Sequence, residues 1–194
     1  VLHNFAQRID GSKILKKLKV RAFDYFLVTL HRAENVDLPE RLASIFAGLE
    51  KIVAKYDKPM FVSVHPRTAE KLRKFSTPVN DQRINLLEPF GFFDFVKLEK
   101  NALAVLTDSG TVQEECAIFG VPNITLRDVT ERPETLECGS NILSGADPDS
   151  IVSAAEIAIA QPSNWAPPPE YTVANTSQIV SKLLLGYLSV AKHG

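Results

Sequence analysis

The chain has 194 residues, of which 45% are hydrophobic and 23% are charged. This composition is typical of a globular domain with a substantial core and argues against a disordered protein. The formal net charge of -1 argues against a dedicated nucleic-acid binder or a polybasic membrane binder. The apolar runs, such as residues 183–185, are far too short to cross a bilayer.

The cysteines and the first residues suggest where such a chain resides. Cys116 and Cys138 fit neither a disulfide framework nor a metal-ligand spacing. No signal-peptide pattern opens the chain, so we expect a soluble cytoplasmic protein with no membrane or nucleic-acid partner. The chain starts at Val1 with a segment typical of the middle of a protein, and we expect it to be half of a larger one.

Apolar runs of strand length alternate with segments of helical period along nearly the whole chain. The patterns predict strands at 25–30, 60–64, 84–87, 103–107, 123–126 and 141–143. They predict helices from Pro39, at 67–75, 92–100 and 111–119, after Pro133, and from Asp147 as N-cap with Pro148 in the first turn. The helix from Pro39 has six apolar residues on one face: Leu42, Ile45, Phe46, Leu49, Ile52 and Val53. This alternation predicts one α/β domain over residues 1–160, a Rossmann-like doubly wound parallel sheet with right-handed crossovers.

The C-terminal part of the chain has a different character. Residues 161–169 are proline-rich and without period, which predicts a linker. A terminal helix follows, with one apolar face: Ile179, Val180, Leu183, Leu184, Tyr187 and Leu188. This face needs a partner surface, on this domain or on a missing one. We expect residues 161–194 to consist of the linker and a C-terminal helix that packs back.

Ligands of open parallel sheets bind at the carboxyl ends of the strands, where the strand order reverses. Residues 106–111, Leu-Thr-Asp-Ser-Gly-Thr, run from a predicted strand directly into a helix. Small residues there expose backbone N–H groups, and the helix dipole favours an anion, most simply a phosphate. The alternative is that Asp108 or Ser109 merely caps the helix.

The helix after this turn places a carboxylate near its buried face. Val112, Cys116 and Phe119 form its core-facing stripe, and Glu115 lies about 60° from that stripe at ~100° per residue. Such a carboxylate needs hydrogen-bond donors. A ribose diol would supply two, and an arginine from a neighbouring loop is an equal alternative.

Three more polar segments follow predicted strands. Residues 29–35 include His31, which could protonate or orient a substrate oxygen, or bond its own loop. In residues 127–134, Pro133 leaves Arg132 near a helix cap, free to bind a diphosphate. The alternative there is an ion-pair lattice among Arg127, Asp128, Glu131 and Arg132. Residues 64–68 are a weaker candidate, because Pro66 can simply start the next helix.

The sequence lacks the glycine-rich motifs of nicotinamide and Walker-type ATP sites, the zinc-protease motif and the nucleophile elbow. In contrast, three motifs together resemble those of the bacterial non-hydrolysing UDP-N-acetylglucosamine 2-epimerases. They are T-x-H-R-x-E-N (29–35), D-S-G-x-x-Q-E-E (108–115) and R-D-x-T-E-R-P-E (127–134). The resemblance covers residues 12–159 and only the C-terminal half of that family. It implies the UDP-binding half of a GT-B architecture, which binds a nucleotide sugar between two Rossmann-like domains.

The resemblance also implies roles for individual residues. His31 would be catalytic and face the sugar and the leaving group, and the substrate would be bound by Phe90, Phe95, Ser109, Gly110, Thr111, Glu115 and Arg132. Within that set, residues 109–111 and Arg132 would hold the phosphates, Glu115 the ribose hydroxyls and Phe95 the uracil. Thr111 stands where the family commonly has a second glycine, a change that preserves the backbone N–H.

The family reaction implies elimination of UDP to a 2-acetamidoglucal, protonation on the opposite face and re-addition of UDP. It requires no nicotinamide, metal or other cofactor. The acid and base would lie in the missing N-terminal domain, so this chain alone would be inactive, and the whole protein would be a homodimer in polysaccharide biosynthesis. Residues 89–95 and 134–145 are similar to the subgroup forming UDP-N-acetyl-L-fucosamine. The nucleotide-binding half of a GT-B glycosyltransferase and a non-enzymatic UDP-sugar sensor are alternatives.

Overall fold

The computed structural model describes residues 1–161 and 163–191. Its centre is one parallel sheet of six strands, β1 (Phe26–Leu30), β2 (Met60–Val64), β3 (Ile84–Leu87), β4 (Ala104–Thr107), β5 (Asn123–Thr125) and β6 (Asn141–Leu143). The strand order is β3-β2-β1-β4-β5-β6, and every pair is parallel. The predicted doubly wound sheet is therefore confirmed. Its order reverses between β1 and β4, where such folds bind ligands.

Ten α-helices are described: α1 (Ala6–Asp10), α2 (Ile14–Leu18), α3 (Ala33–Val36), α4 (Pro39–Tyr56), α5 (Pro66–Phe75), α6 (Phe92–Lys100), α7 (Gly110–Phe119), α8 (Pro133–Glu137), α9 (Pro148–Ala160) and α10 (Thr176–Ala191). Short 3-10 turns cover His3–Phe5 and Pro169–Thr172. The predicted strands and longer helices agree with these bounds to within about one residue. Asp147 caps α9 as predicted, its Oδ1 accepting from Ser150 N at 2.9 Å.

Alternate residues of each strand face opposite sides, which gives the sheet two cores. On one face, Phe26, Val28 and Leu30 of β1 pack with the buried stripe of α4 and with α9. All six apolar residues predicted to form that stripe are buried. On the other face, Tyr25 and Leu27 pack with α2, α6 and α7. The helices thus cover both sides of the sheet and leave the carboxyl ends of the strands for polar loops.

The sequence patterns missed α1, α2 and α3. Each of these helices has only four or five residues, too few to show a period. Both α1 and α2 pack against α6, and Ile9 and Ile14 are buried there. Tertiary contacts rather than local propensity therefore form these helices.

The segment predicted as a linker is irregular over residues 163–168 but docks on the domain. Trp165 Nε1 donates to the carbonyl of Ala117 on α7 at 3.1 Å, and the Tyr171 hydroxyl donates to Glu134 on α8. The expected packing of α10 onto this domain is not seen, because Leu183 is 68% exposed and Tyr187 80% exposed. Leu188 lies outside the residues whose side chains are described. Over the described residues, no helix has the length and apolar character to span a membrane.

Candidate functional site

Asp108 joins the ends of β4 and β1 at the point where the strand order reverses. Its carboxylate is fully buried and accepts from the backbone N–H groups of His31 at 3.0 Å and Arg32 at 2.8 Å. The Asn35 amide donates to the same carboxylate at 3.2 Å, and His31 Nδ1 lies 3.1 Å from Asp108 Oδ1. Asp108 thus fixes both the backbone of the β1 loop and the imidazole of His31.

The two side chains of this pair shift each other's titration. The hydrogen bond to Asp108 raises the pKa of His31, outweighing partial burial. Burial acts to raise the pKa of Asp108, but the hydrogen bonds from His31 and Arg32 together lower it below 3.8. His31 is 42% exposed on its side chain. The pair therefore presents to the crevice an imidazole that holds a proton more tightly than a free histidine.

A second network ties the loop after β5 to the loop after β1. The buried guanidinium of Arg127 donates to Glu34 at 2.7 Å and in a bidentate arrangement to Glu131 at 2.6 and 2.9 Å. The hydrogen bonds from Arg127 lower the pKa of Glu131 to about 2. The lattice alternative therefore holds for Arg127 and Glu131, whereas Asp128 pairs with Arg41.

The first turn of α7 is open at the carboxyl edge of the sheet. Ser109 is the N-cap residue, yet its side chain makes no capping hydrogen bond, and Asp108 is bound to the β1 loop instead. The alternative that either side chain merely caps the helix is therefore wrong. An α-helix cannot satisfy its first N–H groups internally, so this end of α7 attracts an anion.

Arg132 is the N-cap residue of α8, as predicted, and its side chain lies at the N-terminus of α7. A Cβ placed on Gly110 would lie 3.8 Å from Cζ of Arg132, so the guanidinium is against the first turn of α7. Its Nε donates to Glu114, and this hydrogen bond raises the pKa of Arg132. The side chain remains 35% exposed. A cation and a helix N-terminus therefore meet at one surface, on which Thr111 is also exposed.

Glu115 was expected to take its hydrogen bonds from a ribose diol or from an arginine. Within the described residues it has no arginine partner and lies beside another acid, and the ribose role stays a prediction. Its carboxyl group lies within hydrogen-bonding reach of Glu99, a fully buried residue of α6. Burial raises the pKa of Glu115, while the hydrogen bond to Glu99 acts in the opposite direction. Glu99 was missed by the sequence analysis, although its position three residues after buried Val96 was a usable signal.

The two predicted aromatic residues lie on the side of the sheet that holds α6 and α7. Phe90 and Phe95 are both partly buried and pack against the core cluster that contains Val112 of α7. The weaker candidate at residues 64–68 is structural: Pro66 begins α5, and His65 Nδ1 caps it by accepting from Arg67 N at 3.3 Å. In the described parts of the chain, no group of three or more His, Cys, Asp or Glu residues could hold a metal ion.

Comparison with known proteins decides the family. A family model described as UDP-N-acetylglucosamine 2-epimerase matches residues 1–185. The chain belongs to this family. Among relatives, the UDP-N-acetylglucosamine 2-epimerase of Methanocaldococcus jannaschii is 48% identical over 172 residues, which are 82% of this chain and 47% of that protein. The enzyme of the same name from Methanococcus maripaludis is 42% identical over 178 residues, 90% of this chain and 47% of that protein.

The solved structures of this epimerase family share the fold. The crystal structure of the M. jannaschii UDP-GlcNAc 2-epimerase in complex with UDP-GlcNAc and UDP superimposes with a TM-score of 0.84 at 41% identity. The match covers 92% of this chain and 50% of that chain. The chain thus spans about half the length of the epimerases it matches, as expected from the sequence. The fucosamine-forming subgroup stays a prediction.

Proposed function

We propose that this chain is the UDP-binding half of a UDP-N-acetylglucosamine 2-epimerase. The observation that carries the proposal is the meeting of Arg132 with the uncapped N-terminus of α7 at Gly110. A diphosphate placed there would accept hydrogen bonds from the backbone N–H groups of Gly110 and Thr111, the Ser109 hydroxyl and the Arg132 guanidinium. The relative from M. jannaschii, whose structure holds UDP-GlcNAc and UDP, supports this assignment.

The remaining site residues suit the other parts of a UDP-sugar. Glu115, five residues after Gly110, would accept hydrogen bonds from the ribose diol. Phe90 and Phe95 would lie near the uracil. His31 would face the glycosidic oxygen, where a protonated imidazole donates to the departing phosphate. Its charge would stabilise UDP as the C1–O bond breaks.

The chemistry explains why one half of the enzyme must retain the nucleotide. The C2 proton of the sugar is not activated by an adjacent carbonyl, so inversion proceeds by eliminating UDP and adding it back to the glycal. Loss of UDP between these steps would end the cycle. The phosphate contacts with α7 and Arg132 would prevent that loss. Residues of the N-terminal domain would remove the C2 proton and return it on the opposite face.

Two features of the structure fit a missing second half. The site is an open surface, with His31 42% exposed on its side chain, rather than a closed pocket. The apolar side chains of α10 are exposed, including Leu183 at 68% and Leu185 at 68%. We assign the cover of both surfaces to an N-terminal domain in a homodimeric, cytoplasmic enzyme that uses no cofactor.

Calorimetric titration of the chain with UDP, with ADP and NAD as competing nucleotides, tests the proposal. We expect selective UDP binding that Arg132→Ala weakens by about tenfold or more, since a charged hydrogen-bond donor is lost. Arg73→Ala, which removes an exposed arginine of α5, is the matched control and should bind UDP as the wild type does. Failure of UDP to bind both this chain and the two-domain protein would refute the proposal.

C2 inversion by the two-domain protein without an acceptor sugar would separate an epimerase from a glycosyltransferase.

A further inference from the structure

Glu99 is a fully buried acid whose hydrogen bonding is incomplete when it is treated as ionised. Its Oε1 accepts from Cys116 Sγ at 3.4 Å, whereas Oε2 is buried with no hydrogen-bond partner in the described structure. An ionised carboxylate so placed would carry a large desolvation penalty. A proton on this carboxyl group would remove both the charge and the unmatched acceptor.

Within the described residues, no cation is paired with Glu99 to hold it ionised. Glu115 of α7 faces it as a second acid, and the Cys116 thiol donates to it. Neighbouring charged groups are paired elsewhere: Lys97 and Lys100 of α6 lie beside Asp10 of α1, and Glu114 of α7 binds Arg132. The fully buried carboxyl group of Glu99 and the partly buried one of Glu115 therefore lie within hydrogen-bonding reach of each other, and one of them must keep a proton.

We propose that Glu99 is a positioning residue: it stays protonated at neutral pH and donates its O–H to the carboxylate of Glu115, which it orients toward the ribose diol of a bound uridine nucleotide. This inference rests on the proposed function, because Glu115 is assigned to the ribose there. The more deeply buried partner is the one that keeps the proton. Burial and the charge of Glu115 raise the pKa of Glu99 well above 4.5, while the bond from Glu99 acts to lower the pKa of Glu115.

The shared proton has a readout that needs no nucleotide. Infrared difference spectroscopy at neutral pH detects the carbonyl stretch of a protonated carboxylic acid. We expect this band in the wild-type chain and in Glu70→Gln, which changes an exposed glutamate of α5, but not in Glu99→Gln. Absence of the band from the wild type, or its persistence in Glu99→Gln, would overturn the inference.

UDP titration across pH tests the orienting role. Glu99→Gln keeps a permanent N–H donor to Glu115, so we expect UDP affinity within about twofold of the wild type at neutral pH. Glu99→Met, of similar volume, removes the donor, and we expect affinity about tenfold weaker at neutral pH. Its loss of binding on acidification should also move to higher pH, since nothing then lowers the pKa of Glu115. A merely structural role would not move this pH profile.

The two measurements separate the possible failures. Wild-type UDP affinity should also fall at alkaline pH as Glu99 ionises beside Glu115, whereas Glu99→Gln should keep its affinity. Equal UDP affinities and pH profiles in all three proteins would overturn the orienting role. If Glu99→Met does not fold, the infrared band and the UDP affinity of Glu99→Gln at alkaline pH still test the inference. Failure of both the wild-type chain and the two-domain protein to bind UDP would instead refute the proposed function and the ribose role of Glu115, whereas the infrared band tests the shared proton independently of UDP.

Discussion

His31 and Asp108 meet across the boundary between β1 and β4, with Nδ1 of the imidazole 3.1 Å from a carboxylate that is fully buried. The two residues are 77 positions apart in the chain. They come together because parallel strands place their carboxyl ends at one edge of the sheet and because the strand order reverses between these two strands. The contact links the loop that would face the sugar to the turn that would hold the phosphates.

Asp108→Asn should lower the pKa of His31. The amide carries no charge, and its N–H₂ group cannot accept from the backbone N–H groups that Asp108 satisfies. We also expect the free energy of unfolding to fall by about 2–3 kcal/mol, because buried donors lose their partner. Proton NMR titration of the His31 ring measures the first effect and urea unfolding the second. The three other histidines serve as internal controls, and an unchanged His31 titration would contradict the role given to Asp108.

Glu99 should make the folded state less stable as pH rises. Its pKa in the folded protein is raised well above 4.5, chiefly by burial, so above that pH the folded state binds more protons than the unfolded state. Its contribution is fully present below the unfolded pKa and is lost as pH rises toward the folded pKa. The slope is at most about 1.4 kcal/mol per pH unit for one proton.

Urea unfolding of the wild type and Glu99→Gln between pH 5 and neutrality, roughly the range in which an unfolded glutamate is ionised, checks this slope. The stability of the wild type should decline relative to that of the glutamine variant, which does not titrate. Parallel stability curves for the two proteins would show that Glu99 is ionised in the folded state.

Gly120→Ala should destabilise the chain by about 1 kcal/mol, because Gly120 ends α7 in the left-handed region at φ +70. No atom of the described residues lies within 4 Å of a Cβ placed there, so the cost is conformational rather than steric. Gly120→Asn is the matched control, since asparagine also adds a Cβ but adopts the left-handed region more readily than alanine. Thermal or urea unfolding should show a smaller loss for asparagine than for alanine, and equal losses would contradict the argument.

Gly48→Ala should destabilise the contact between α4 and α9. A Cβ there would lie 2.9 Å from Ile151 Cδ1 and 3.2 Å from the backbone Cα of Pro148. Overpacking of this kind costs about 1–3 kcal/mol, which exceeds the helix propensity gained from alanine. Ile151→Val removes the closest atom, so a double-mutant cycle should show a smaller penalty for Gly48→Ala in the valine background. Additive effects would mean that the two side chains do not compete for space.

Much of this molecule follows from local patterns. The six strands and the buried stripe of α4 were predicted because alternation and helical period appear directly in the residue order. The Pro133 start of α8 also put Arg132 near a helix cap, where the structure places it. The fold class and the candidate anion site follow from such signals, since each depends on residues close together in the chain.

The pairing of distant side chains was decided by the tertiary structure. The sequence analysis offered an arginine from a neighbouring loop as a partner of Glu115, but the protein group that α6 places beside it is the carboxyl group of Glu99. Asp108 was considered as a helix cap, but the pairing of β4 with β1 places its carboxylate against the backbone N–H groups of the His31 loop. The residue order determines periodicity, turn chemistry and the set of polar groups at each strand end. Which of these groups share a proton or a charge depends on distances that exist only after the strands have assembled in their order.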